Sequence, residues 1–179
     1  SLVKTPERLF DIYLTSVGRG STLLLNLPPD RRGLIHENDL AALKGWKELM
    51  DREFKKNHAL NAVATATNYR DNLQNFAPSN TTDGNKETYW ATDDSVRTGS
   101  LEISLSQNFP VKYVVLQEYI KLGQRIKSFR VDAWNGGNWK TVASATTIGY
   151  KRILKLQPIE TNKLRITVLD SKACPLISN

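Results

Sequence analysis

The sequence PSNTTDGNKETYW at residues 78–90 lies within a long polar stretch, residues 68–94, whose pattern is neither that of a helix nor that of a strand. A loop of that length inside a compact domain is usually functional or holds an ion. On its C-terminal side, apolar and polar residues alternate in several short segments, which is the period of half-buried strands. On its N-terminal side, before about residue 57, apolar residues recur at helical spacing. The change of period predicts two parts, residues 1–57 and residues 58–179.

The C-terminal part has the pattern of an antiparallel β fold. Turn signals such as the two glycines within Asn135–Asn138 separate its alternating segments. Short strands separated by turns in this way are typical of a sandwich or barrel. We therefore predict a mainly β domain, whose strand candidates are Leu101, Ile103 and Leu105; Tyr113–Leu116; Phe129, Val131 and Ala133; Ile153–Leu156; and Leu164, Ile166 and Val168.

The N-terminal part predicts a helix, a strand and a second helix. Thr5 is a good N-cap and Pro6 suits the first helical position. The apolar run Thr22–Leu27 predicts a strand buried on both faces, which needs parallel neighbours on both edges. This part therefore resembles the tail of a larger α/β domain. His36 or Asn38 is expected to cap the second helix, whose predicted buried stripe is Leu40, Leu43, Trp46, Leu49, Met50 and Phe54.

Composition and charge exclude several classes of protein. The net charge is +7, from 25 Lys and Arg against 18 Asp and Glu, but the basic runs are only pairs and acidic residues lie between them. This pattern favours a mixed solvated surface over a nucleic-acid interface. No segment approaches the ~20 apolar residues of a membrane helix, and no basic-then-apolar leader opens the chain. We expect neither a nucleic acid nor a membrane as partner.

Residues 78–90, with Asp-Gly followed by Thr and Trp, resemble the discoidin or coagulation factor V/VIII type C domain. Leu122–Ile126, Phe129, Ala133–Trp134 and Trp139 fit the same pattern. The resemblance covers about residues 58–179 and implies an antiparallel jelly-roll β-sandwich of the galactose-binding-like type. Such domains usually continue into a final strand, so we expect the sandwich of this chain to lack its last strand.

The run LLLNLPPDRRG at residues 23–33 resembles the end of the catalytic (β/α) barrel of glycoside hydrolase family 29 α-L-fucosidases. This resemblance implies a parent enzyme, exported to the periplasm or outside the cell, that releases terminal L-fucose with retention. In that family the catalytic Asp and Glu lie on earlier barrel strands, and no position here matches them. Asp30 follows the predicted strand, but we expect it to brace the loop. The chain alone is therefore predicted not to be an enzyme.

Carbohydrate binding would use aromatic faces and planar polar groups on the sandwich loops. For Trp90 a packing role in the core is the alternative, and Arg125 could brace a loop. Trp134 and Trp139 flank a turn and are expected to pack across two strands. The candidate sugar-binding residues are Tyr69, Arg70, Asn72, Trp90, Asp93 and Arg125.

Calcium is a possible structural cofactor of the 78–90 loop. Asp83, Asn85 and Thr88 offer the hard oxygen ligands that calcium prefers, and the resemblance implies a further ligand near Asn179. The alternative is an Asp-Gly turn held by its own hydrogen bonds. The single cysteine, Cys174, has apolar neighbours and is expected to be a buried, inert thiol.

The sequence therefore predicts a non-catalytic accessory module of an α-L-fucosidase. Its expected partners are glycans with fucose or galactose and its own catalytic barrel. The alternative is a structural domain that stabilises the barrel without affinity for sugar. Protein or lipid binding is a third possibility, which we rank last because the loop tips that can be placed from the sequence are polar.

Overall fold

A computed structural model describes residues 3–179. The residue contacts divide the chain into two compact units, Ser1–Asn57 and His58–Asn179. Within the described residues, no helix combines the length and the apolar character that a bilayer crossing requires.

The first unit contains helices α1 (Pro6–Thr15) and α2 (Glu37–Glu53), with a short 3-10 helix at Val17–Arg19. The hydroxyl of Thr5 accepts a hydrogen bond from the backbone amide of Arg8 at 3.3 Å, so the predicted N-cap is confirmed. His36 caps α2, since its Nδ1 accepts from the amide of Asn38 at 3.1 Å. The predicted buried stripe was wrong: Leu40 is 43% exposed, the other five residues are half-buried, and the residue that α2 buries is Ala42.

The predicted strand at Thr22–Leu27 does not form, because no neighbouring strand lies beside it among the described residues of this unit. Its residues alternate between exposed and half-buried positions; Leu23, Leu25 and Leu27 are half-buried, and Leu24 is 93% exposed. Asp30 braces the following loop, as expected. Its carboxylate accepts from the amide of Arg32 at 2.7 Å and from the guanidinium of the same residue at 2.5 Å.

The second unit is built from antiparallel strands. They are β1 (Val63–Ala66), β2 (Trp90–Ala91), β3 (Gly99–Leu116), β4 (Ile126–Asn135), β5 (Asn138–Ala145), β6 (Arg152–Ser171) and β7 (Leu176–Ile177). Five of them form one sheet in the order β1-β3-β6-β4-β5, and β2 and β7 form a separate pair.

Two long strands each contain two of the predicted ones. β3 includes both Leu101–Leu105 and Tyr113–Leu116, and β6 includes both Ile153–Leu156 and Leu164–Val168. The pairing of β3 with β6 shifts register between Ser104 and Phe109 and again near Tyr113. Register shifts of this kind bend a sheet. Both halves of each strand therefore contribute to one apolar core, and the domain is the predicted antiparallel β-sandwich.

The core explains the alternation in the sequence. Phe129, Val131 and Ala133 of β4 are fully buried, while their neighbours on the strand point to the other face. Trp134 and Trp139 are cross-strand partners whose rings meet edge to face at 5.3 Å.

The last residues also pair, since β7 bonds to β2 and the amide of Gln117 donates to the carbonyl of Asn179 at 2.7 Å. The expectation of a missing last strand stays a prediction.

Candidate functional site

Two arginines from different loops converge on one sulfur atom at an end of the sandwich. The guanidinium of Arg70 donates to Cys174 Sγ at 3.0 Å, and that of Arg125 donates to the same Sγ at 2.9 Å. Cys174 is 3% exposed, as the sequence predicted for this thiol. Cys174 is held here because β7, which begins two residues after it, pairs with β2 at Trp90 and Ala91.

Arg70 is oriented by an unusual turn. It begins a 3-10 helix in which Asp71 and Asn72 have φ of 51° and 53°, a left-handed conformation that Asn and Asp tolerate. Its Nε donates to the carbonyl of Thr92 at 3.4 Å, and its Nη2 pairs with the exposed Asp94 at 2.5 Å. Its guanidinium carbon lies 4.9 Å from the ring centroid of Phe76. These contacts hold the guanidinium plane beside an aromatic face.

Asp93 connects this turn to the loop after β2. The amide group of Asn68 forms two hydrogen bonds with Asp93: its Nδ2 donates to the carboxylate at 2.7 Å, and its Oδ1 accepts from the Asp93 amide at 2.8 Å. The backbone amide of Asp71 donates to the same carboxylate at 3.0 Å. Mainly the Asn68 hydrogen bond, then that of Asp71, lowers the pKa of Asp93, and the charge of Arg70 adds to this.

Arg125 is positioned by its own backbone. Its amide and that of Ile126 donate to Glu118 Oε1 at 2.8 and 2.9 Å, and the amide of Gly149 donates to Oε2 at 2.6 Å. Glu118 is 3% exposed, so its carboxylate ties three segments of the chain together inside the protein. The Arg125 side chain then reaches the carbonyl oxygen of Cys174 at 3.1 Å.

Each guanidinium keeps one free edge. Within residues 3–179, the hydrogen bonds of Arg70 use Nε and Nη2, and those of Arg125 use Nε and Nη1. Arg70 Nη1 and Arg125 Nη2 therefore have donors available for a bound molecule. The Asp94 carboxylate, with its side chain 85% exposed, offers acceptors beside them.

An aromatic row that the sequence analysis missed adjoins the arginines. Phe76 and Tyr89 lie 5.7 Å apart between ring centroids, and Tyr89 stacks on Tyr119 at 4.4 Å with 22° between the ring planes. All three rings are half-buried and pack on the small cluster that includes Cys174. No periodic pattern marks them, since each comes from a different irregular segment.

The other three predicted sugar-binding residues have different environments. Trp90 is fully buried, with its indole N–H donating to the carbonyl of Asn68 at 2.9 Å, which fits the alternative packing role. Tyr69 packs against the main core. Asn72 is exposed next to Arg70. The structure thus brings together Arg70, Asp93 and Arg125 of the six candidates.

The three loop residues predicted for calcium do meet. Asp83 accepts from the Asn85 amide at 2.7 Å and from the Thr88 hydroxyl at 2.6 Å. These oxygens suit a hard cation, but the three residues contribute one carboxylate only, and no group of three His, Cys, Asp or Glu side chains able to hold a metal occurs within residues 3–179. No hydrogen bond links Asn179 to this loop among those residues, since its backbone pairs with Gln117.

The loop tips at this end are less polar than the sequence suggested. Ile120 and Leu122, in a 3-10 helix at Ile120–Leu122, are 40% and 49% exposed, and Leu73 is 51% exposed. Beside the polar tips that could be placed from the sequence, these loops therefore present exposed apolar side chains.

Comparison with known proteins gives a consistent picture. The sequence model of the F5/8 type C domain matches residues 61–178. An α-L-fucosidase 1 of Arabidopsis thaliana is 34% identical over 179 residues, covering 98% of this chain and 35% of that protein. A protein of Oryza sativa subsp. japonica, also named as an α-L-fucosidase, is 37% identical over 177 residues, covering 98% and 34%. The chain therefore spans about a third of the length of the curated relatives it matches.

Solved structures agree with these relatives. A Ruminococcus gnavus GH29 fucosidase in complex with fucose superposes with a TM-score of 0.90 at 34% identity, covering 98% of this chain and 36% of that one. A chitosan-binding module from a Paenibacillus chitosanase/glucanase superposes at 0.60 over 68% of this chain and 92% of its own. At 23% identity, that second likeness concerns the fold alone.

Proposed function

This chain belongs to the F5/8 type C domain family, and we propose that its sandwich is a carbohydrate-binding accessory module of an α-L-fucosidase. The fucosidase relatives, which the chain matches along nearly its whole length, support the identity of the parent. The site at Arg70 and Arg125 supports the binding role.

The observation that best supports sugar binding is the combination of available donors, an exposed carboxylate and aromatic rings at one place. Arg70 Nη1 and Arg125 Nη2 can donate to sugar hydroxyls, and the exposed carboxylate of Asp94 can accept from them. Tyr89 and Tyr119 lie beside them as a stacked pair. Sugars bind where a few placed polar groups adjoin aromatic faces, so this end is the place to expect a monosaccharide unit.

The experiment is an NMR titration of the labelled chain with L-fucose and with D-galactose. We expect saturable shifts at residues 70–76, 93–94, 119 and 125. Arg70→Met and Arg125→Met should each weaken binding by about tenfold or more, because a hydrogen bond to a charged group contributes roughly 1.5–3 kcal/mol.

Arg165→Met is the matched control, since Arg165 pairs with Glu102 and lies over the Trp139 ring on the sheet. It removes the same charge but should leave sugar binding unchanged. An intact fold with no shifts at tens of millimolar sugar would contradict the binding role and favour a structural domain that stabilises the barrel.

The activity and location of the parent are further parts of the proposal. A longer protein containing this chain should be exported and should release L-fucose with retention, as expected of enzymes that use two carboxylates about 5–5.5 Å apart. Hydrolysis of an aryl α-L-fucoside followed by NMR would show the α-anomer first. An initial β-anomer would contradict the retaining mechanism.

Calcium stays a prediction for the Asp83 loop. If Asp83, Asn85 and Thr88 bind the ion, calcium should raise the melting temperature of the chain, and Asp83→Asn should abolish that rise. Asp170→Asn is the control, because its carboxylate pairs with Lys127 at 2.5 Å on the sandwich strands. An equal calcium effect in both variants would rule out this loop as the site.

A further inference from the structure

At the Tyr119 end of the aromatic row, a lysine lies near the ring and bridges two loops. Lys121 Nζ lies 6.0 Å from the Tyr119 ring centroid and forms an ion pair with Glu87, whose preceding residue is Lys86. This ion pair joins the 83–88 loop to the 119–122 loop. Lys151 belongs to a third segment, and its pKa is lowered first by burial and then by the charge of Lys86.

The position of Lys151 is set by hydrogen bonds to the strand end before Tyr119. The side-chain amide of Gln117 donates to the carbonyl of Tyr150 at 2.9 Å, and the amide of Glu118 donates to the carbonyl of Gly149 at 2.9 Å. Glu118 itself is turned inward, with its carboxylate occupied by backbone amides. It does not face the lysines as a counter-ion.

Two of these ammonium groups lack a counter-charge. Within residues 3–179, neither Lys86 nor Lys151 has a hydrogen bond or ion pair, and the one carboxylate of the group, Glu87, is used by Lys121. Burial lowers the pKa of Lys151, and the nearby positive charge of Lys86 lowers it further. A half-buried, uncompensated ammonium beside a like charge is unfavourable, and an anion placed there would relieve that cost.

We propose that Lys86, Lys121 and Lys151 form a subsite for an anionic substituent, a carboxylate or a sulfate, on a glycan held at Tyr89 and Tyr119. The inference rests on the proposed function, because the tyrosines supply the sugar contact. A ring stacked on Tyr119 would lie within reach of Lys121, whose ammonium already lies near that tyrosine. The site would then prefer an acidic sugar to the neutral sugar of the same ring structure.

The experiment compares two matched pairs of ligands, D-galacturonate with D-galactose and L-fucose 4-sulfate with L-fucose, in NMR titrations at low ionic strength. We expect the acidic member of at least one pair to bind about tenfold more tightly. Lys86→Gln combined with Lys151→Gln should remove that preference and leave neutral-sugar binding within about twofold. Added salt should weaken only the acidic ligand.

Lys140→Gln is the control, because Lys140 lies in β5 and contacts Asn135. It removes a positive charge elsewhere and should leave the preference intact. Binding of galactose or fucose without an acidic preference would overturn this inference alone. No binding of any of the four sugars would overturn the proposed function with it. Lysine-dependent pelleting with phosphatidylserine vesicles, without an acidic-sugar preference, would assign the lysines to a lipid surface and also overturn the inference.

Discussion

At the residue scale, the Asn68 and Asp93 pair shows how one side chain shapes the site. Asn68 bonds both the carboxylate and the amide of Asp93, and Asp93 in turn holds the amide of Asp71. Arg70 lies between Asn68 and Asp71 in the chain, so these hydrogen bonds orient its backbone. A residue with no direct role in ligand contact therefore sets the position of a candidate ligand-binding arginine.

The Asn68→Ala variant should raise the pKa of Asp93 toward the value of about 3.9 typical of an unperturbed Asp. In the native chain the pKa of Asp93 is lowered, so its stabilising effect is full above about pH 4 and is lost as pH falls through the folded-state pKa. NMR titration of the Asp93 carboxyl carbon in both chains measures this. Asn108→Ala, at an exposed position of β3, should leave that titration unchanged. If Asp93 of the native chain titrates like an Asp in a model peptide, the Asn68 hydrogen bond does not lower its pKa.

At the element scale, Glu118 joins two segments that are separate in the chain. Its carboxylate accepts from the start of β4 at Arg125 and Ile126 and from the loop before β6 at Gly149. Gly149 adopts φ of 63°, which directs its amide to this carboxylate. The loops of both the arginine site and the lysine subsite thus depend on one buried group.

Glu118→Ala should destabilise the chain by about 3–5 kcal/mol, because it leaves three buried amides without an acceptor. Glu118→Gln keeps one acceptor oxygen and should cost less. Urea denaturation with a folded-state check by circular dichroism measures both. Glu160→Ala, at an exposed position of β6, is the control and should stay within about 0.5 kcal/mol of the native chain. Equal stability of all three variants would show that the three backbone amides donate to water when the carboxylate is removed.

At the scale of the whole molecule, the two units differ in how much core they have. The sandwich buries a continuous set of apolar residues from all of its long strands. The N-terminal unit buries Leu9, Phe10, Leu14 and Ala42, and leaves Leu24 and Leu34 exposed. Few buried apolar contacts mean a low free energy of local opening.

Amides of α1 and α2 should therefore exchange with solvent faster than those of β3, β4 and β6, by on the order of 100-fold. Hydrogen exchange followed by mass spectrometry or NMR would resolve the units. The exposed leucines should also promote self-association at high concentration. Uniform protection across both units in a dilute monomer would contradict this view of the N-terminal unit.

Local patterns were sufficient for some of the elements. Thr5 followed by Pro6 placed the start of α1, and the alternation around Leu101, Phe129 and Ile166 placed three strands of the sandwich. The same reasoning failed at Thr22–Leu27, because a strand needs a pairing partner and an apolar run does not show whether one is present. The same reasoning also predicted two strands within β3 and two within β6, because a register shift interrupts the alternation without ending the strand.

The sequence alone therefore determined the two-part organisation, the β-sandwich and the resemblance to a family, because these depend on periodicity and on a contiguous motif. It also supplied Arg70 and Arg125 as candidates. Only the tertiary structure decided that both meet at Cys174, that Trp90 lies in the core, and that Tyr119 stacks on Tyr89. These residues lie far apart in the chain, and no local pattern encodes which loops the long antiparallel strands bring to one end of the sandwich.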